Sequence, residues 1–371
     1  MKTRVPFNDL KKHHELLQPA LEKALHHVIT QSSFIRGPEV DQFEKDFSAL
    51  IGVKHCISCA NGTDALYISM RALGLKPGDE VITTAHSWIA TSETITQAGG
   101  RVVFCDTDSA TFTIDPADIE RKITPRTRGI IPVHLYGQPA DMDPIMELAR
   151  RHKLWIIEDC AQAHLAEYKG RQVGTMGDMG TFSFYPGKNL GAMGDAGGIV
   201  TTRDDLNEWM TRYARHGGKG DHTMEGINSR MDGLQGAVLR LKLPHLRRWT
   251  EARRRIAAKY DAGLGDIGDL HIPSIADGRN HVYHLYVVRT ERRDALREHL
   301  RVQGIETVLN YPRALPFYPA YRYLGHRGED FPNAYRNQSL ILSLPIFPEM
   351  SDEQATYVID SIRAFFGRNS G

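Results

Sequence analysis

The chain has 371 residues, a formal net charge of +1, 41% hydrophobic residues and 25% charged residues. These are ordinary values for a globular protein with a sizeable core, and at roughly 150 residues per domain they suggest two domains or one large domain with a satellite. The charge balance lacks the basic footprint of a nucleic-acid binder, so any anionic substrate must be met by a local cluster.

The opening segment MKTRVPFNDLKKHHELL is charged throughout and has no signal-peptide core. No stretch approaches the ~18 apolar residues of a membrane span, so no membrane association and a cytoplasmic location are expected. Four cysteines, Cys56, Cys59, Cys105 and Cys160, are too few for a disulfide framework in so long a chain. Cys56 and Cys59 have redox spacing but sit in an apolar run, which reads as buried free thiols, and no metal site is expected.

From residue 50 to about 205, strand-like runs alternate with helical patterns. His55–Ala60 precedes a helix over Thr63–Leu73, Glu80–Thr84 one over Ile89–Gln97, and Arg101–Cys105 one over Pro116–Lys122. Gly129–Leu135 precedes Met142–His152, and Leu154–Ile157 runs into Glu158 and Asp159. Such alternation predicts βαβ units and a mostly parallel sheet covered on both faces. Gly180–Phe184 and Gly198–Thr202 follow with little helix between them, which predicts irregular structure around Tyr185–Gly194. Asp204–Arg215 reads as helix, and Gln235–Leu264 as a helical stretch interrupted at Pro244. Strand-like Val282–Arg289 and helices over Arg292–Gln303 and Asp352–Phe366 complete the pattern. The expected division is a large domain over 1–249 and a smaller α+β domain over 250–371, with the arm 1–30 packed on the latter. The segment GGKGD (217–221) is the candidate mobile loop.

Three features fall where an open α/β sheet puts its ligands, at the carboxyl ends of strands. Gly62 and Thr63 follow Asn61 at a strand-to-helix junction; they suit a phosphate, although Asn and Thr there also serve as plain helix caps. Asp159 ends an apolar strand and is a surface residue, a cap or a ligand to a cation. Lys188 lies in Tyr185-Pro-Gly-Lys-Asn-Leu-Gly191, on a tight turn with apolar flanks. Desolvation there lowers an ammonium pKa, as Schiff-base chemistry needs. Together these meet the needs of pyridoxal 5'-phosphate (PLP): a helix N-terminus for its phosphate, a carboxylate for its ring nitrogen and a lysine for its aldehyde. Trp88 is placed to stack on the ring or to be a core or rim aromatic, and Ser183 to donate to the phosphate or to be an ordinary strand residue.

The segments FIRGPEVDQFE (34–44), ANGTDAL (60–66), EVITTAHSWIAT (80–91), IPVHLYGQPADM (131–142), IEDCAQAH (157–164), FSFYPGKNLGAMGDAGG (182–198), GINSRMDGLQGAVL (226–239), HVYHLYVVR (281–289) and LSLPIFPEM (342–350) resemble the PLP-dependent sugar aminotransferases of the DegT/DnrJ/EryC1/StrS group. The resemblance spans nearly the whole chain. It implies the aspartate aminotransferase-like fold (fold type I): an α/β, mostly parallel mixed sheet covered by helices with a smaller C-terminal α+β domain. It also implies a homodimer with shared active sites, in which the cofactor alternates with pyridoxamine 5'-phosphate.

By matching position, Lys188 is the Schiff-base lysine and proton shuttle, Asp159 the ring-nitrogen partner, Gln162 the contact to the ring hydroxyl and Trp88 the stacking aromatic. Gly62, Thr63 and Ser183 match phosphate binders, and Asn228 matches a residue reaching the phosphate of the other subunit. Arg230, Asn310, Tyr311 and Tyr185 match positions that approach substrate, while Lys219 and Arg215 are cations near the glycine-rich loop, each also readable as solvated surface charge.

The resemblance implies L-glutamate as amino donor and a nucleotide-linked keto sugar as acceptor. The lysine segment resembles the branch that aminates C3 of a dTDP-3-keto-6-deoxyhexose. Amination at C4, a keto-cyclitol acceptor and a non-enzymatic PLP-binding regulator are the alternatives. Two departures stand out: Asn310 replaces a histidine common before Tyr-Pro, and Gly233 replaces a larger residue, expected to matter for helix packing.

Overall fold

A computed structural model of the chain describes residues 4–218 and 220–367. Its main sheet has seven strands: β1 (His55–Cys59), β2 (Glu80–Thr84), β3 (Arg101–Cys105), β4 (Thr127–Ile131), β5 (Trp155–Asp159), β6 (Met179–Ser183) and β7 (Gly197–Thr201), in the order β1-β7-β6-β5-β4-β2-β3. The pairs from β3 through β6 are parallel, whereas β7 runs antiparallel to both β6 and β1. The sheet is mostly parallel, as expected from the alternation. The irregular stretch after Ser183 is where the alternation breaks, and the chain turns back through Lys188 into β7.

Both faces are covered, because successive strand residues bury in opposite directions. Ile57, Val81, Val102, Ile131, Ile157 and Ile199 join the core on one face, which includes Leu66 and Ile68 of the helix Gly62–Ala72. Cys56, Phe182 and Val200 face the other way, against Phe43 and Phe47 of the helix Pro38–Ile51. That helix, which the periodicity reading did not assign, starts with Pro38 after Gly37 and buries Val40, Phe43, Phe47 and Ile51. All four cysteines are buried and unpaired.

The helical stretch around Pro244 divides as its proline requires: helix Gly233–Lys242, a short 3-10 turn, then helix Leu246–Leu264. A Cβ at Gly233 would stand 1.9 Å from the Ser33 carbonyl oxygen, so glycine there permits backbone contact between this helix and the segment 33–36. Val282–Arg289 is extended into a strand only over Tyr286–Arg289, which pairs antiparallel with Ile341–Leu344. A separate core gathers Tyr260, Tyr286, Leu296, Leu342 and Val358 with Val5 from the N-terminal arm. Among the described residues no helix is long and apolar enough to cross a membrane.

Candidate active site

At the carboxyl ends of β1, β2, β5 and β6 the chain encloses a cavity of about 420 Å³. Gly62, Thr63, Trp88, Asp159, Gln162, Ser183, Tyr185, Lys188 and Tyr311 line it, so most of the residues singled out in the sequence share one site.

Its phosphate-sized end is made by Asn61 and the helix that follows. The Asn61 side chain accepts from Asp64 N at 2.8 Å, and its carbonyl accepts from Ala65 N at 3.1 Å. The Gly62 and Thr63 N–H groups are therefore left, with the positive end of the helix, for an anion. Gly62 is needed for closeness: a Cβ there would lie 2.7 Å from Ser183 Cβ and 3.2 Å from its hydroxyl oxygen. Asn61 is thus a helix cap, and the capping and phosphate readings of this junction hold together.

At the other end Asp159 is buried, 5% exposed. Thr91 Oγ1 donates to its Oδ2 at 2.9 Å and Ala161 N to its Oδ1 at 3.1 Å. Burial nonetheless pushes its carboxyl above the usual value, with those hydrogen bonds and the Lys188 charge pulling the other way. Such a carboxylate calls for a cation, and the protonated nitrogen of a pyridine ring answers that need. Lys188 is half-buried; burial pulls its ammonium down to about 8, against the opposing charge of Asp159. A lysine so placed has a substantial neutral, nucleophilic fraction near neutral pH.

Trp88 is 57% exposed at the mouth, which makes it a rim aromatic and not part of the core; its ring lies 5.6 Å from that of Tyr311. Gln162 is held at both ends of its amide, Oε1 accepting from Tyr136 N at 2.7 Å and Nε2 donating to the Tyr311 hydroxyl at 2.9 Å. Beneath Asp159, His134 Nδ1 accepts from Ala140 N, so Nε2 carries the proton and donates to Glu158 at 2.9 Å. Glu158 also accepts from Gly174, Met176 and Gly177 N–H groups. Burial opposes its ionisation, yet these donors outweigh it and hold the carboxyl below its usual value. This cluster with Cys160 has no free histidine lone pair for a metal.

Four predicted positions fall elsewhere. Asn228 and Arg230 share a separate recess with Ile35 and Asp232; Asp195 lines both this recess and the Lys188 cavity. The Asn310 side chain accepts from Ser343 Oγ at 2.9 Å and does not line the cavity; its backbone carbonyl accepts from the buried Tyr136 hydroxyl. Arg215 is partly buried; burial first, and then the neighbouring Arg36 charge, lowers its proton affinity. Lys219 lies outside the described residues. Thr91, Ser87, His86 and Tyr136 were not anticipated; the signal for Thr91 was a hydroxyl one helical turn after Trp88.

The free N–H pair, the buried carboxylate and the depressed lysine fit PLP group by group. Residues 16–363 match the model of the DegT/DnrJ/EryC1/StrS aminotransferase family. The chain belongs to this family. It is a PLP-dependent transaminase of the nucleotide-sugar class, with the fold type I architecture. It is 46% identical to the "Pleiotropic regulatory protein" of Geobacillus stearothermophilus, over 98% of each chain. It is 42% identical to the dTDP-3-amino-3,4,6-trideoxy-alpha-D-glucose transaminase of Streptomyces venezuelae, over 98% of this chain and 97% of that one. A crystal structure of S. venezuelae DesV has a TM-score of 0.95 to it at 42% identity, covering 98% of each chain.

Proposed function

We propose that this aminotransferase moves an amino group from L-glutamate to C3 of a nucleotide-linked 3-keto sugar, a dTDP-3-keto-6-deoxyhexose. Lys188, Asp159 and the Gly62 N–H meeting in one cavity is the observation that carries the chemistry. The choice of carbon is supported by the lysine segment and by the name of the Streptomyces relative.

In this reading Gly62, Thr63 and Ser183 hold the phosphate, Trp88 covers the ring face, Gln162 meets the ring hydroxyl and Lys188 the aldehyde. Bound there, PLP supplies an electron sink for the charge left when the amino-bearing carbon loses its proton. Asp159, braced by Thr91, keeps the ring nitrogen protonated. Lys188 Nζ takes the proton from the donor's α-carbon and later returns one to the sugar, a general acid–base role worth roughly 10²–10⁴-fold. Tyr185, 58% exposed at the mouth, and Tyr311 border the sugar. Asn310 acts as an anchor of the Tyr311 segment.

We further propose a homodimer with shared sites. Asn228 and Arg230 stand outside their own chain's cavity, in a recess beside exposed Phe34 and Ile35, a placement suited to serving the partner's cavity. The name of the Geobacillus relative favours a regulatory reading, which makes no demand on Lys188.

The test is reverse transamination of 2-oxoglutarate with a panel of nucleotide-linked 3-amino and 4-amino sugars. Glutamate formation from the 3-amino members is expected. Turnover confined to 4-amino members would move the reaction to C4, and none with any member alongside binding of PLP would favour the regulator.

A further inference from the structure

Tyr136 is 3% exposed and adopts a positive φ of 61°, a conformation costly for a residue with a side chain and often retained at functional sites. Both of its ends are engaged. Its backbone N–H can only donate, so the atom of Gln162 facing it at 2.7 Å must be the amide oxygen. That fixes Gln162 Nε2 toward the Tyr311 hydroxyl at 2.9 Å. An amide nitrogen also only donates, so Tyr311 Oη accepts, and its own proton is left for another partner.

The other end of Tyr136 sets the Tyr311 backbone. Its hydroxyl donates to the Asn310 carbonyl and lies 3.0 Å from His86 Nε2. Tyr311 N in turn donates to His86 Nε2 at 3.2 Å. As the acceptor of that N–H, Nε2 is unprotonated, which leaves the imidazole proton on Nδ1, a buried atom with no hydrogen-bond partner among the described residues. Burial holds the ring neutral, lowering its pKa to about 4 against the Asn310 carbonyl. Burial and the nearby Asp159 charge raise the Tyr311 phenol above its usual value, so its proton is retained.

We propose that Tyr136 is a positioning residue that fixes both the backbone and the phenol of Tyr311, committing the phenolic proton to the cavity as a hydrogen-bond donor to an oxygen of the bound sugar. The inference rests on the reading of this cavity as the PLP site. His86 acts with Tyr136 in the same circuit.

Tyr136→Phe keeps the ring and the N–H to Gln162 and removes only the hydroxyl; His86→Ala removes the acceptor of Tyr311 N–H. Each is expected to lower kcat/KM for the sugar half-reaction about ten-fold. His86→Gln, whose amide oxygen accepts the same N–H, is expected to restore most of that loss. In a Tyr311→Phe background neither change should cost more than about two-fold, because the group they aim is gone. Equilibrium titration of the apoproteins with PLP should give dissociation constants within about three-fold of wild type, since Gln162 remains held. Losses that multiply with that of Tyr311→Phe, or no rescue by glutamine, would overturn the inference. A wild-type apoprotein that takes up no PLP would overturn the functional reading instead.

Discussion

Thr91 and Asp159, 68 residues apart, form a buried hydrogen bond of 2.9 Å, and Ser87 lies 3.0 Å from the same threonine hydroxyl. The carboxylate is thereby held against burial, which already raises its pKa. Thr91→Val removes a hydrogen bond to a charged group, worth about 1.5–3 kcal/mol. Turnover is expected to fall about ten-fold or more, with weaker retention of PLP on dialysis. Thr91→Ser should recover most of the loss. Unchanged turnover in the valine variant would show that Asp159 does not depend on it.

Lys188→Ala is expected to fold with an unaltered circular-dichroism spectrum and to lose transamination altogether. In the wild-type apoprotein, burial places the Lys188 pKa at about 8, below the ordinary 10.5. The neutral amine is the reactive form, so its fraction rises as pH rises through about 8. The rate of covalent uptake of PLP should follow that midpoint in a stopped-flow absorbance series. A midpoint near 10.5 would mean that the lysine is solvated.

Gly62→Ala brings a methyl group 2.7 Å from Ser183 Cβ. Relieving such a contact costs about 1–3 kcal/mol and displaces β6 from the helix start. Reduced thermal stability and at least ten-fold weaker affinity for PLP are expected together. Loss of stability alone, with affinity intact, would argue against a phosphate at this junction.

Acid should loosen the fold at pH values below those at which it protonates Lys188. His86, His164 and His281 are buried and neutral, with pKa values lowered by burial to about 4, about 3 and about 3. A depressed histidine pKa gives stability that is complete above the unfolded value of 6.5 and is lost as pH falls toward the folded value. Glu158 acts with the same sign, its depressed carboxyl losing its donors on protonation below the unfolded carboxylate value. Chemical denaturation between pH 7 and pH 4 should therefore show a steady fall in unfolding free energy. Glu158→Ala, which strands three backbone N–H groups and the His134 N–H, should cost several kcal/mol, at about 1–3 kcal/mol for each buried donor left unpaired. A flat stability profile over that range would contradict these assignments.

Much of the site was legible because its parts lie in local patterns. The apolar runs ending at Cys59, Thr84 and Asp159 announce strands, and residues that line the cavity end or closely follow each run. Lys188 was legible through its glycine- and proline-bounded turn. What stayed hidden depends on distant segments meeting: nothing near Thr91 points to Asp159, and nothing near Tyr136 or His86 points to Tyr311. Asn310 suggested a sugar contact because it stands beside Tyr311, yet Ser343, on a paired strand, takes its side chain. The helix Pro38–Ile51 carried its own signals, a Gly-Pro start and apolar spacing, which went unassigned. Neighbouring residues encode the elements, whereas their partners are set by how the sheet orders its strands.

That order has a consequence for how the molecule assembles. β1 pairs within the sheet only with β7, His55 opposite Thr201 and Cys59 opposite Gly197. During synthesis the strand that leads into Gly62 must wait for more than a hundred further residues to emerge before it has a sheet neighbour. Closing so long a loop is entropically costly and slows folding. The same event brings Lys188 to Gly62, because the lysine sits on the turn between β6 and β7. Docking of β1 and completion of the Lys188 cavity are therefore expected as one late step, and a chain released before residue 201 would hold an unpaired strand edge in place of that cavity.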